Sequence, residues 1–187
     1  MHTIYALFDY DTFKKKGVSF SEFLKLCKKY DAKIIQYRDK SSSLEDMRDR
    51  LSTLRSFWDG ILIVNDRIEL IDLADGLHLG QEDILRFDKD IKKAVKIVRD
   101  EIKDKILGLS THNREEILIA NELDLDYIGL GAYRKTSTKD TDNILGKKIE
   151  ELAALSIHPV AAIGGVRPDD EIKNVKYLVV GSSLYDD

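Results

Sequence analysis

Short apolar runs rich in Ile, Leu and Val alternate along this chain with stretches whose apolar residues recur at helical spacing. Eight runs read as strands: Ile4 to Phe8, Lys33 to Tyr37, Ile61 to Val64, Gly76 to Leu79, Ile106 to Leu109, Tyr127 to Leu130, Val160 to Ile163 and Tyr177 to Val180. Between them, Phe20 to Tyr30, Leu44 to Trp58, Asp88 to Ile102, Arg114 to Leu123 and Leu145 to Leu155 read as helices. A β-then-α alternation repeated this often predicts a parallel sheet with helical crossovers. Eight strands favour closure into a (β/α)8 barrel, the TIM-barrel arrangement, over an open doubly wound sheet. No linker or low-complexity segment interrupts the pattern, so one domain over residues 1–187 is expected.

Length constrains how such a barrel can be built. Barrels of this class usually take about 250 residues and seldom fewer than about 200, and this chain has 187. The shortfall falls late, because only Arg167 to Asn174 separates the seventh strand from the eighth and only Ser183 to Asp187 follows the eighth. The last two helices are therefore expected to be reduced or absent, and Arg67 to Asp75 leaves room for only a short helix between strands three and four. The seventh and eighth runs are apolar at successive positions, so both faces of that wall need cover. A bare outer face there predicts a homodimer that buries this flank.

Composition narrows the partners. Lys and Arg number 30 against 34 Asp and Glu, a formal charge of -4 with the signs interspersed. No broad footprint for nucleic acid or an anionic membrane is present, so any phosphate recognition must be local. The single cysteine, Cys27, lies on the apolar side of a helical stretch, which rules out a disulfide framework or a cysteine-based metal site. The segment MHTIYALFDY has neither a basic n-region nor a long apolar core, and no run approaches the roughly 20 residues that span a bilayer. A cytoplasmic location is expected.

Barrel enzymes place their chemistry at the carboxyl ends of the strands, and here the residues after each run form a coherent set. After the third and fourth strands come Asn65 and Asp66, then Gln81, Glu82 and Asp83. Asp66 and Asp83 suit Mg2+, a hard ion that takes one or two protein carboxylates and leaves other positions to substrate phosphates. The competing reading makes Asp66 the cap of a helix beginning near Arg67 and Asp83 the cap of the next turn. After the second strand, alternation points Gln36, Arg38 and Lys40 the same way, two cations and an amide suited to phosphate oxygens. Ser110, Thr111 and His112 follow the fifth strand, where they either serve chemistry or cap the helix near Arg114. Gly129, Gly131, Thr136, Thr138 and Lys139 form a small, hydroxyl-rich, basic loop after the sixth, suited to a pyrophosphate or to an ordinary surface. Gly164 and Gly165, then Gly181, Ser182 and Ser183, supply close backbone approach after the last two strands, the usual phosphate site of these barrels. Two anion-binding regions can be drawn, and two phosphorylated substrates would fit them.

The segments IYALFD, IIQYRDK, IVNDRIELIDLADGLHLGQED, LGLSTH, DYIGLGAYRKTSTKD and PVAAIGGV resemble, nearly end to end, those of the thiamine phosphate synthase family. The resemblance implies a barrel enzyme joining a hydroxymethylpyrimidine diphosphate to a thiazole phosphate with loss of pyrophosphate. By position it assigns Gln36, Arg38, Lys40 and Asn65 to the pyrimidine diphosphate, Asp66 and Asp83 to Mg2+, and Ser110 and Lys139 to the pyrophosphate. Thr136, Thr138, Gly165 and Ser182 would hold the thiazole phosphate, with Ser183 the alternative to Ser182. Arg38, Lys40, Ser110 and Lys139 are the expected catalytic set. The loop GAYRKTSTK departs from the family pattern, which has a proline after the glycine and an apolar residue before the threonine. Two other readings follow from the same resemblance: a thiazole tautomerase working through His112, and a catalytically silent sensor of thiamine phosphates.

Overall fold

The structure is a computed structural model and describes residues 2–135 and 144–186. Among the described residues, eight strands pair in chain order and all in parallel: β1 (Thr3–Asp9), β2 (Ile34–Arg38), β3 (Ile61–Asn65), β4 (Gly76–Leu79), β5 (Ile106–Thr111), β6 (Tyr127–Leu130), β7 (Val160–Ala162) and β8 (Tyr177–Val180). β8 pairs back onto β1, Thr3 opposite Tyr177 and Ala6 opposite Val180, which closes the barrel and excludes the open sheet.

The crossovers hold α1 (Tyr10–Lys16), α2 (Phe20–Lys29), α3 (Leu44–Phe57), α4 (Gln81–Ile84), α5 (Ile91–Ile102), α6 (Arg114–Ala120) and α7 (Lys148–Ala153). Two of these are absent from the sequence expectation. α1 is capped at both ends, Asp9 accepting from the Thr12 amide and Gly17 taking φ 63, but it buries no residue of its own, so it leaves little apolar periodicity. α4 is a single turn. The expected helix from Asp88 starts instead at Ile91, because the Asp90 carboxylate accepts from the Lys92 and Lys93 amides and so fixes the N-cap. None of the described helices is long and apolar enough to cross a membrane.

The economies fall where the length predicts. A 3₁₀ turn, Ile68–Leu73, replaces a helix between β3 and β4, no helix joins β7 to β8, and a 3₁₀ turn, Ser182–Tyr185, follows β8. The expected bare flank, however, is covered. Val160, Ala162, Leu178 and Val180 are buried in the outer core together with Val166, Ile172, Val175 and Leu184, so irregular chain does the packing that two helices would otherwise do. The reason for expecting a homodimer through this flank is thereby removed.

Inside the barrel the strands alternate, and Tyr5, Leu7, Ile34, Ile63, Tyr127, Ala161 and Val179 form a second core. Three tyrosines meet edge-on there, Tyr5 to Tyr127 at 6.0 Å, Tyr127 to Tyr177 at 6.2 Å and Tyr5 to Tyr177 at 6.5 Å between ring centroids. Rings of this size fit because a neighbouring inward position has no side chain: a Cβ on Gly108 would lie 2.2 Å from Cζ of Tyr127. Gly108→Ala is expected to cost about 1–3 kcal/mol by overpacking, read as a lower urea midpoint with an unchanged slope.

Candidate active site

The carboxyl ends of the strands surround an open cavity. Gln36, Arg38, Lys40, Asn65, Asp66, Asp83, Ser110, His112, Gly165 and Ser182 all line it, so residues drawn from five strand ends, with Asp83 just beyond a sixth, share one space. Thr136, Thr138 and Lys139 lie outside the described residues.

The two carboxylates are placed by different local devices. β3 ends in a non-glycine residue with left-handed backbone, Asp66 at φ 62, whose amide donates to the His78 carbonyl at 2.9 Å. Such a conformation is uncommon outside glycine and is kept when the surroundings hold it. The N-cap position of the following 3₁₀ turn is Arg67, with no side-chain cap bond, so Asp66 is not a helix cap. Asp83 lies within the first turn of α4, whose N-cap is Gly80, and is not a cap either. A Cβ at position 80 would fall 2.8 Å from Oδ2 of Asp83, so a side chain there would displace that carboxylate. The Gln81 amide donates to the Ser110 carbonyl at 2.6 Å and fastens α4 to β5. Burial, and then the neighbouring Asp66 charge, push the Asp83 carboxyl above its usual range despite Arg86 at 3.0 Å. Two carboxylates held together against their own repulsion are a donor set suited to a divalent cation. Among the described residues no larger cluster of His, Cys, Asp and Glu forms a metal cage.

The cations are held by acids. Arg38 stands opposite Asp9 in the β1–β2 register, and its guanidinium donates to that carboxylate, which also caps α1. Lys40 reaches Asp66 at 3.4 Å. Between them Asp39 points outward into a buried knot, accepting from the Ser41 and Ser42 amides at 3.1 Å, from Tyr37 at 3.1 Å and from Arg50 at 2.9 Å. Burial opposes its charge, but these hydrogen bonds prevail and hold the carboxyl below its usual range. The knot anchors the turn that carries Lys40.

Around β5, Thr111 donates to the Gly129 carbonyl at 2.9 Å and serves structure. The cap of α6 is Asn113, which accepts from the Glu116 amide, so Ser110 and His112 are not caps. His112 is paired through Nδ1 with Glu116 at 2.9 Å. Ser110 is hydrogen-bonded to His78 at 2.9 Å, a cavity-lining histidine inside an apolar run that sequence reasoning passed over, as it passed over Asp9. At the far wall, Gly164 (φ 88) and Gly165 (φ 64) need their left-handed backbone, and Cβ atoms there would meet Ala132 and Arg134 at 2.6 and 2.7 Å. Arg134 donates to the Gly165 carbonyl at 2.9 Å and grips Asp170 with two bonds of 2.6 and 2.7 Å, joining the loops after β6 and β7. The Ser183 hydroxyl donates to the Val166 carbonyl, and Ser182 and Ser183 both line the cavity. The turn that Ser182 opens has no side-chain cap.

A model of the thiamine monophosphate synthase family matches residues 5–181. The chain belongs to that family. Among curated relatives, the thiamine-phosphate synthase of Persephonella marina is 40% identical over 142 residues, covering 72% of this chain and 64% of the relative. That of Methanosarcina barkeri is 38% identical over 145 residues, covering 74% of this chain and 62% of the relative. The matched stretch thus spans a little under two thirds of each of these relatives. A thiamine phosphate pyrophosphorylase structure from Pyrococcus furiosus superposes with a TM-score of 0.76 over 98% of this chain and 87% of that one, at 23% identity, which speaks for the fold.

Asp39 gives a test of how the family site is supported here. Because its folded pKa is depressed, its contribution is present above the unfolded value and lost as pH falls through the folded one. Asp39→Asn is expected to lower stability at pH 7, with the gap to the parent narrowing below about pH 3.9, measured by urea unfolding across pH.

Proposed function

We propose that this protein is a thiamine phosphate synthase, joining a hydroxymethylpyrimidine diphosphate to a thiazole phosphate with release of pyrophosphate. The observation that carries the reading is the convergence in one cavity of Asp66 and Asp83, the cations Arg38 and Lys40, Ser110, and a glycine-serine wall at Gly165 and Ser182. The shared family and the names of the relatives support it.

In this reading Gln36 and Asn65 orient the pyrimidine, and Arg38, Lys40, Ser110 and Lys139 bind the diphosphate. Asp66 and Asp83 would hold Mg2+, which when bound supplies neutralisation of charge on the leaving pyrophosphate. The C–O bond to the pyrimidine methylene breaks with its electron pair going to pyrophosphate, and the thiazole nitrogen lone pair forms the new C–N bond. No protein nucleophile is required. Gly165, Ser182, Thr136 and Thr138 hold the thiazole phosphate, so the gain comes from holding two rings in register and stabilising a leaving group.

Pure protein given both substrates and Mg2+ is expected to form thiamine phosphate and pyrophosphate in equal amounts. Asp66→Ala and Asp83→Ala should each lower that rate by on the order of 100-fold or more, several kcal/mol of lost charge stabilisation, with unchanged circular dichroism. Parental turnover in either variant, or in chelator, would sink the assignment of the pair to a metal.

One observation favours a second reading. His112 with its Nδ1 on Glu116 is an imidazole oriented by a carboxylate at the cavity wall, an arrangement suited to proton transfer in thiazole isomerisation. His112→Ala is expected to leave thiamine phosphate formation within about tenfold of the parent, since general acid–base groups contribute about 100-fold or more where they act. A parent that makes no thiamine phosphate but isomerises the thiazole, with His112→Ala losing that activity, would decide for the tautomerase.

A further inference from the structure

A line of hydrogen bonds runs from Gln36 at the cavity through the tyrosines of the barrel core to Ser110, again at the cavity. The Gln36 amide nitrogen donates to the Tyr5 hydroxyl at 2.8 Å, Tyr5 and Tyr127 share a bond of 2.9 Å, Tyr127 meets Nδ1 of His78 at 2.9 Å, and Nε2 of His78 meets the Ser110 hydroxyl at 2.9 Å. The five residues come from five different strands. Two inward glycines make the room: Gly108 clears the Tyr127 ring, and a Cβ on Gly129 would lie 3.1 Å from Cε1 of His78. The His78 ring is stacked on Tyr127 at 5.4 Å.

We propose that this line is a one-way relay that fixes His78 with its proton on Nε2 and so turns the Ser110 hydroxyl proton into the cavity, making Ser110 a committed donor to an anion. The direction follows from counting protons. An amide nitrogen can only donate, so the Tyr5 oxygen accepts and its single proton goes to Tyr127. The single Tyr127 proton then goes to Nδ1. An imidazole accepting at Nδ1 carries its proton on Nε2 and gives it to the Ser110 oxygen, and the remaining Ser110 proton faces the ligand. Burial raises the pKa of both phenols, which keeps their protons in place at all working pH values.

The consequence is selectivity by polarity. A serine hydroxyl is ordinarily donor or acceptor at choice, but one whose oxygen is already supplied suits an acceptor-only group, such as a phosphate oxygen. His78 and Tyr127 are in this account positioning residues acting through Ser110. The inference rests on the proposed reading only in taking pyrophosphate as the anion.

The test uses protein labelled with 15N-histidine, whose ring shifts and couplings report the tautomer, His78→Gln identifying the signal among the four histidines. The parent at pH 7 is expected to carry the His78 proton on Nε2. Tyr127→Phe, which changes no residue lining the cavity, should populate the Nδ1–H form as well and weaken binding of inorganic pyrophosphate with Mg2+ by about three- to tenfold, measured by calorimetry. A parent His78 protonated on Nδ1, or on both nitrogens, overturns the relay, and so does a Tyr127→Phe protein with parental tautomer and affinity. A shifted tautomer with parental affinity overturns the step from His78 to Ser110. Parent protein that binds no pyrophosphate counts against the proposed function instead, and the tautomer then decides the relay alone. The parent spectrum suffices even if Tyr127→Phe does not fold.

Discussion

Closure of β8 onto β1 is the constraint on which the rest of this protein depends. With the ring shut, no strand edge is left to solvent, and the pleat assigns every strand residue to the inside or the outside with no freedom to slip. Register then does the positioning. Arg38 stands beside Asp9, Asn65 beside His78 and Ser110 beside Gly129 because the strands that carry them are paired at those positions. A short chain can afford irregular crossovers because the strand pairing, rather than the helices, sets the geometry of the mouth.

Closure also explains the unusual interior. An eight-stranded ring has space for side chains and for little else, and here that space is shared between edge-on tyrosines and glycines rather than filled by branched aliphatics alone. Buried hydroxyls are costly unless hydrogen-bonded, so tyrosines inside the ring must find partners along its axis. The partners they find, Gln36 and His78, both line the cavity and extend the polar line to Ser110. The packing solution of the core and the polarity of the site are in this sense one arrangement.

Strand positions were legible because a buried parallel strand is a short apolar run with polar residues at its end, and these runs have that form from Ile4 to Val180. The lining of the candidate site was legible for the same reason: Gln36, Arg38, Lys40, Asn65, Asp66, Asp83 and Ser110 all sit at or just past such ends and share one cavity. α1 was not, because its helix is defined by the Asp9 and Gly17 caps and not by a buried stripe. The cover of β7 and β8 was not, because Val166, Ile172 and Val175 lie in irregular chain and Leu184 in a single 3₁₀ turn, where no period announces which way a side chain turns. His78 was passed over because it lies within an apolar run, and its partners Tyr5 and Tyr127 read as core. Their relation depends on residues 49 and 122 positions apart in the chain, which no local pattern contains.

The charges at the mouth show why carboxylates and cations occur there together. Arg38 is bound to Asp9 and Lys40 to Asp66, so both cations are already half-neutralised by acids of the protein. These pairs keep the long side chains ordered over the cavity and lower the reorganisation needed when an anion arrives. They also reduce the positive field a diphosphate would meet. With Asp66 and Asp83 adding negative charge, Arg38 and Lys40 alone leave no surplus of positive charge for a diphosphate. In the proposed reading a divalent cation restores that surplus, and by engaging Asp66 it would release Lys40 toward the phosphates. The acids that hold the cations would thus become, on binding, part of the machinery that frees them.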